Sequence, residues 1–308
     1  AYNPPMRLLF FGLPAGVSAV VLRGLLDDGR DVAAVVVPAA AVPHLLLAPA
    51  LPVAQLAAHP AAPSPALSLV DEPADLLTVA WARGLPVLAV RAFDHPDTLA
   101  VLSASALDVA VVACFTRRIP AGVLALPPLG FLNLHPSLLP HFRGPQPLFW
   151  QLRAGAPAGT TVHYMDEGLD TGDIAAQAAV DLPDGVSGPE AERRLVLAGL
   201  DRLRSVLDEL AAGVVRRQPQ GPGGSYQGAP ADADFALSTA WSARRAFNFM
   251  RGTADWGRLY PVGINGRVEW LAAADDWSPA ELDRPSVRHG RQIVIRFSPG
   301  VLYARLAG

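Results

Sequence analysis

Two short stretches concentrate the residue types that do chemistry: GFLNLHPSLLPHFRGPQP at 130–147 and TTVHYMDEGLDTGDI at 160–174. In an extended strand, residues two apart point to the same face, so Asn133 and His135 project together while Leu132 and Leu134 turn to the opposite side. Pro136 has no N–H with which to continue a ladder, which puts His135 at the carboxyl end of its strand. In open α/β sheets ligands bind at that edge. An amide N–H from Asn133 and an imidazole N–H from His135 can together bind an oxyanion that forms on a carbonyl carbon. A carboxylate beside the imidazole balances positive ring charge and can hold a water for a proton relay, and Asp170 is the candidate. Ser137 is expected to fix the following loop by hydrogen bonds. Arg143 reads equally as a cation that orients an acceptor and as an ordinary surface ion pair.

The elements that must position these residues follow a repeated order. Met6–Gly12 is a short apolar run ending at Gly, Val17–Leu26 has a helical pattern, and Asp31–Val37 is again apolar and β-branched. Strand, helix, strand in this sequence is what a parallel sheet covered on both faces requires. The alternation continues through a helix at Pro73–Arg83, a strand at Pro86–Val90, a helix at Pro96–Ser105 and a strand at Leu107–Ala113. It reaches the strand Gly130–His135 that carries the chemistry. A helix at Pro189–Ala212 precedes QPQGPGGSYQGAP (Gln218–Pro230), whose Gly, Pro and Gln content reads as a linker. Beyond it a helix at Ser238–Arg251 and strands at Val268–Ala272, Gln292–Phe297 and Val301–Leu306 predict a small β-rich domain. The expected organisation is a Rossmann-like α/β domain with a mostly parallel sheet at 6–212, a linker at 213–230 and a small β-rich domain at 231–308.

Composition narrows the chemistry further. No lysine occurs among the 308 residues and all 25 basic residues are arginine, which excludes a lysine Schiff base and a P-loop lysine within this chain. The single cysteine, Cys114, leaves no internal disulfide and no cysteine-based zinc site. Cys114 is expected to pack as a small hydrophobe. His163 takes an interior strand position and reads as a hydrogen-bonded core histidine. His135, His141 and His163 with Asp170 match no ligand spacing, so no metal is expected. Mean hydropathy is +0.27, yet the apolar runs are broken by Pro or Gly before a membrane span is reached, and a cytoplasmic setting is expected. Between Val32 and Val70 there is no Asp, Glu, Lys or Arg but there are seven prolines. Such density forbids a long helix and predicts an excursion along the surface.

The two stretches resemble the folate-dependent formyltransferase family, whose members share an Asn-x-His-x-Ser-Leu-Leu-Pro segment and a later Leu-Asp-x-Gly loop. Here these are Asn133, His135, Ser137, Leu138, Leu139 and Pro140, then Leu169, Asp170, Thr171 and Gly172. The resemblance implies transfer of a formyl group from 10-formyltetrahydrofolate to an amine, with Asn133, His135 and Asp170 catalytic and no metal. It also implies that the donor lies against Cys114, Phe115, Thr116, Arg117, Arg118 and Ile119, and against Asp166, Glu167, Gly168 and Leu169. Arg117 matches the purine-pathway branch, whereas Arg143-Gly144 and the DEGLDTGD wording are closer to methionyl-tRNA formyltransferase, whose small C-terminal domain the stretches Ala243–Asn248 and Leu259–Leu271 also resemble, which implies an open-barrel-like domain at 231–308.

The acceptor is the open question. The transfer RNA branch carries a basic insertion after its second strand, and the matching stretch here, Val32 to Val70, holds no Lys or Arg with which to neutralise phosphates. Residues 1–214 hold 13 Arg against 20 acids, and residues 215–308 hold 12 Arg against 8. A small-molecule amine is therefore the expected acceptor: an amino sugar nucleotide, a hydroxyornithine or a carrier-bound aminoacyl group. Methionyl initiator transfer RNA is the alternative. A formyltetrahydrofolate hydrolase would use the same three residues with water, and a noncatalytic folate-binding protein would have no use for all three.

Overall fold

The strands of the chain's centre are apolar throughout because both of their faces are covered. The computed structural model describes residues 6–43, 51–58 and 75–308, and β1 (Arg7–Gly12), β2 (Asp31–Pro38) and β5 (Val109–Ala113) are buried along nearly their whole length. They pair in parallel, β2 with β1 and β1 with β5. Parallel strands need crossover helices, and α1 (Gly16–Asp27) supplies the first, turning Leu22 and Leu25 into the core. Next, α2 (Leu76–Ala82) starts where the Asp75 side chain accepts a hydrogen bond from the Thr78 N–H at 2.9 Å. Pro96 opens α3 (Pro96–Ser103), where a missing N–H costs nothing.

With β3 (Val53–Leu56), β4 (Val87–Val90), β6 (Phe131–His135), β7 (Ala158–Tyr164) and β8 (Ile174–Val180), the sheet has eight strands in the order β3-β4-β2-β1-β5-β6-β7-β8. The pairs β2/β4 and β5/β6 are parallel, and β3/β4 and β6/β7 antiparallel. The expected mostly parallel α/β sheet is therefore present. One expectation is corrected in part: the uncharged excursion contains β3, an edge strand, where a surface loop was anticipated. Its residues 44–50 and 59–70 lie outside the described residues, as does the expected helix start at Pro73.

Behind the site-bearing strands lies α6 (Gly188–Ala211), a long helix whose Leu200, Leu203 and Leu207 join the core made with Leu132 and Leu134. Gly199 permits that approach. A Cβ there would stand 2.7 Å from Thr160 Oγ1 and 2.9 Å from the Leu134 methyls, so any side chain would push the helix off the sheet.

By contact the chain forms two compact units that do not follow its order. The first takes residues 1–140, 160–178 and 196–224, and the second takes 141–159, 179–195 and 225–308. The second unit holds α5 (Pro147–Ala154), α7 (Ala243–Gly252) and a five-stranded sheet of β9 (Tyr260–Ile264), β10 (Arg267–Ser278), β11 (Ser286–His289), β12 (Gln292–Arg296) and β13 (Val301–Leu306). All of its pairings are antiparallel, in the order β11-β12-β13-β10-β9, so the C-terminal part is β-rich as expected. Phe149, Phe235, Phe249 and Tyr260 stack mainly edge to face at its centre. The Tyr260 hydroxyl, buried with them, is 2.8 Å from Thr253 Oγ1.

Candidate functional site

The site begins at the end of β6, which stops at His135 as Pro136 requires. Leu132 and Leu134 are buried on one face, while Asn133 is half-buried and His135 almost fully buried on the other. The antiparallel neighbour β7 sets His163 directly opposite Asn133 and Thr161 opposite His135. After β7 the chain turns through 165–173, and this loop returns Asp170 to the same place. Asp170 Oδ1 is 3.7 Å from His135 Nδ1 and 3.7 Å from His163 Nε2. Asn133, His135 and Asp170, predicted from two separate stretches, thus meet within one unit.

His163 is buried and hydrogen-bonded, as a core histidine should be, but its partners make it part of the site. Its Nδ1 is 2.9 Å from the Tyr164 carbonyl, an oxygen that can only accept, so the ring proton sits on Nδ1. Nε2 is then an acceptor, and the Asn133 amide nitrogen donates to it at 3.1 Å. Burial, and next the charge of His135, push the His163 pKa down to about 4, against the opposing pull of Asp170. A neutral ring is what the hydrogen bonds require. An amide nitrogen carries two hydrogens, so Asn133 can give one to His163 and offer the other to a ligand. The signal for His163 in the sequence was a histidine at an interior position of the apolar strand TTVHY, which marked it as buried but not as part of the site.

The loop is shaped by small residues. Asp170 has φ +56°, the left-handed region that Asp tolerates better than most residues. At Gly172 a Cβ would fall 1.9 Å from the Tyr164 carbonyl oxygen, so only glycine lets the loop lie against the end of β7. Asp166 braces the turn by accepting from Gly168 N at 2.9 Å and from Thr171 Oγ1 at 2.6 Å.

Ser137 is fully buried, and its backbone fixes the turn after β6: its N–H donates to His135 O at 2.9 Å and its carbonyl accepts from Thr161 Oγ1 at 2.6 Å. Thr161 also accepts from Leu139 N at 3.2 Å and from Gln177 Nε2 at 2.9 Å. No sequence pattern marked Thr161 or Gln177. Arg143 belongs to the second unit, where its backbone pairs with Ser225 and Gln227.

The two segments expected at the donor meet as well. Arg118 donates through Nε, at 2.9 Å, and through Nη2 to the Glu167 carbonyl. Phe115 lies among Phe11 and Phe93, with ring centroids 5.6 and 5.9 Å away. Ile119 is buried in the core, whereas Thr116, Arg117 and Leu169 are exposed. Arg117 reaches the Arg91 carbonyl at 3.3 Å. A cavity of ≈ 280 Å³ is lined by Phe93, Asp94, Arg117, Arg118 and Pro120. Phe93 beside two guanidinium groups and the Asp94 carboxylate gives this cavity one aromatic and three charged neighbours. The expectation for Cys114 is corrected: it is exposed rather than packed, because at φ +57° the chain turns out of β5 as soon as the strand ends. A second cavity, ≈ 670 Å³, is lined wholly by the second unit, including Gln151, Ser242, Arg244 and Arg245, and by none of the expected site residues. Among the described residues no cluster could hold a metal ion, and no helix is long and apolar enough to cross a membrane.

Comparison with known proteins agrees with this geometry. The sequence model described as formyl transferase matches residues 17–199, which span β6, β7 and the Asp170 loop. The chain is 32% identical over 305 residues to a methionyl-tRNA formyltransferase of Anaeromyxobacter dehalogenans, covering 96% of this chain and 89% of the relative. It is 31% identical over 271 residues to that of Symbiobacterium thermophilum, covering 87% and 76%. The solved structure of WlaRD, a sugar 3N-formyl transferase crystallised with dTDP and 5-N-formyl-THF, shares the fold over 99% of both chains with a TM-score of 0.67 at 12% identity. With the motif residues gathered at one sheet edge and the match running through them, the chain belongs to the formyl transferase family.

Proposed function

We propose that this chain transfers a formyl group from 10-formyltetrahydrofolate to an amine, with Asn133, His135 and Asp170 as the groups that carry the reaction. The observation that carries this reading is the single carboxylate of Asp170, equidistant at 3.7 Å from two buried imidazoles beside the Asn133 amide. The donor supplies an activated formyl carbonyl. The Asn133 N–H and the His135 ring stabilise its oxygen as that atom gains negative charge. Asp170 accepts, directly or through one water, the proton lost by the attacking amine, and the same relay gives a proton to the donor nitrogen as its bond to the formyl carbon breaks and tetrahydrofolate departs. His163, neutral and locked by Tyr164, keeps the Asn133 amide turned nitrogen-first toward β7 and so defines where its second N–H points.

Two acceptors have specific support. A small amine is favoured by the absence of Lys and Arg from 32–70, since a phosphate backbone is gripped through such residues. The aminoacyl end of methionyl initiator transfer RNA fits at least as well. The relatives of near-equal length carry that name, and residues 215–308 hold 12 Arg against 8 acids. The test is to offer 10-formyltetrahydrofolate with charged initiator transfer RNA in one arm and a panel of small amines in the other, reading a formyl mass gain on each acceptor. A gain in one arm identifies the acceptor class. Folate turnover with no gain in any amine would replace transfer by hydrolysis.

A further inference from the structure

The segment 213–224, linker-like in composition, lies against the site's loops within the first unit. Arg217 places its guanidinium 3.7 Å over the Tyr164 ring. Gln218 exchanges both backbone hydrogen bonds with Ile174, at 2.8 and 2.9 Å, which ties the segment to the start of β8. At Gly224 a Cβ would stand 2.3 Å from the Pro140 carbonyl oxygen, so the chain passes the loop after β6 at backbone distance. Between these anchors the Gln220 side chain turns inward, and its amide nitrogen donates to the carbonyls of Asp170 and Gly172, each at 2.8 Å.

Those two carbonyls flank Thr171. An amide nitrogen has two hydrogens at a fixed angle, so one Gln220 group holds both peptide planes at once. Asp170 is the residue for which this matters, because φ +56° is unfavourable for any residue with a Cβ, and its backbone direction decides where the carboxylate goes. A loop free to relax at Asp170 would swing Oδ1 away from the point where it lies 3.7 Å from both imidazoles.

We propose that Gln220 is a positioning residue of this site, holding the Asp170 loop in its left-handed turn so that the carboxylate stays between His135 and His163. Its importance to turnover rests on the reading of Asp170 given above; the positioning itself does not. The hydrogen bonds reach across 50 and 48 residues, which links a stretch with linker composition to the reacting groups.

Ring ¹⁵N spectra of histidine-labelled full-length protein at pH 7 test this without any acceptor. Gln220→Met keeps the length of the side chain and removes both donors. The expected result is that Gln220→Met moves the His135 and His163 ring signals in the same direction as Asp170→Asn and by at least half as much, with the melting temperature within a few degrees of the parent. In the double variant Gln220→Met should add nothing to Asp170→Asn, because it acts through that carboxylate. Unchanged rings in Gln220→Met, or shifts that add in the double variant, overturn the proposal. Where Gln220→Met yields no folded protein, Gln220→Ala, which leaves room for water, carries the same comparison. Full turnover in Asp170→Asn would remove the catalytic reading while leaving the spectra to decide the positioning, so the two failures are told apart.

Discussion

Asn133 and His163 stand directly opposite each other on β6 and β7, the amide nitrogen of the first 3.1 Å from Nε2 of the second. This cross-strand pair settles the orientation of an amide whose two ends are nearly isosteric, because only its nitrogen can satisfy a neutral Nε2. It also makes the site sensitive to acid. The His163 pKa falls from 6.5 unfolded to about 4 folded, so between those values the unfolded chain binds more protons. Stability therefore rises with pH across that window and is lost as pH falls through it. Denaturant midpoints measured at pH 7 and pH 4.5 should differ markedly in the parent and much less in His163→Gln. An equal pH dependence in both proteins would exclude His163 as its source.

The oxyanion contacts make a kinetic prediction. Asn133→Ala and His135→Ala should each lower kcat by about 10² or more while leaving folate affinity within a few fold, since the lost hydrogen bonds strengthen only as charge develops. Calorimetric folate binding alongside turnover checks both halves. Either variant retaining parental kcat would exclude that residue from the reaction.

Asp170→Asn keeps the shape of the side chain and removes its charge. Turnover should fall by about 10² or more with little change in melting temperature, because the side chain is partly solvent-exposed and carries little of the core. A protein that melts early and regains activity when stabilised by ligand would assign Asp170 a structural role instead.

Gly172→Ala tests the close approach of the loop to β7. The added methyl would sit 1.9 Å from the Tyr164 carbonyl oxygen, so the loop must move outward and carry Asp170 with it. The cost in stability should be about 1–3 kcal/mol. The fall in kcat should exceed what the unfolded fraction accounts for, as measured by activity per folded molecule.

Binding to initiator transfer RNA should depend on salt in a way that reports its grip. If arginines of 215–308 alone meet phosphates, log Kd against log salt should have a shallow slope, at about 0.9 per phosphate neutralised on a duplex stem. A steep slope with efficient formylation would place phosphate contacts elsewhere on the chain.

What the sequence revealed follows from how local each signal is. The runs LLFFG, VAAVVV and VAVVA are apolar at every position, which marks buried parallel strands without reference to a partner. Asn133 and His135 were readable because strand parity and Pro136 act within four residues. By contrast β3, VAQL, has four residues on an edge and lies in a proline-rich stretch, and β8, IAAQAAV, is rich in alanine, a weak strand former. β9 contains Pro261, tolerated because β9 is also an edge. Thr161, Gln177 and Gln220 owe their roles to partners 16 to 50 residues away, and no periodicity encodes such meetings. Arg118 and Glu167 were each expected at the donor, but their contact across 49 residues belongs to the fold alone.

The alternation of the chain between its units, which pass residues to each other at 140/141, 159/160, 178/179, 195/196 and 224/225, bears on how such a protein can change. A module appended at one end of a gene can be gained, lost or traded in a single recombination. Here a single join anywhere between residues 141 and 224 leaves both units with parts from two parents. A chimera joined at residue 212 would set 141–159 and 179–195 of one parent against 225–308 of the other. An exchange meant to carry the second unit over intact therefore has to bring 141–159 and 179–195 together with 225–308, which no single join can do without also replacing 160–178 and 196–224.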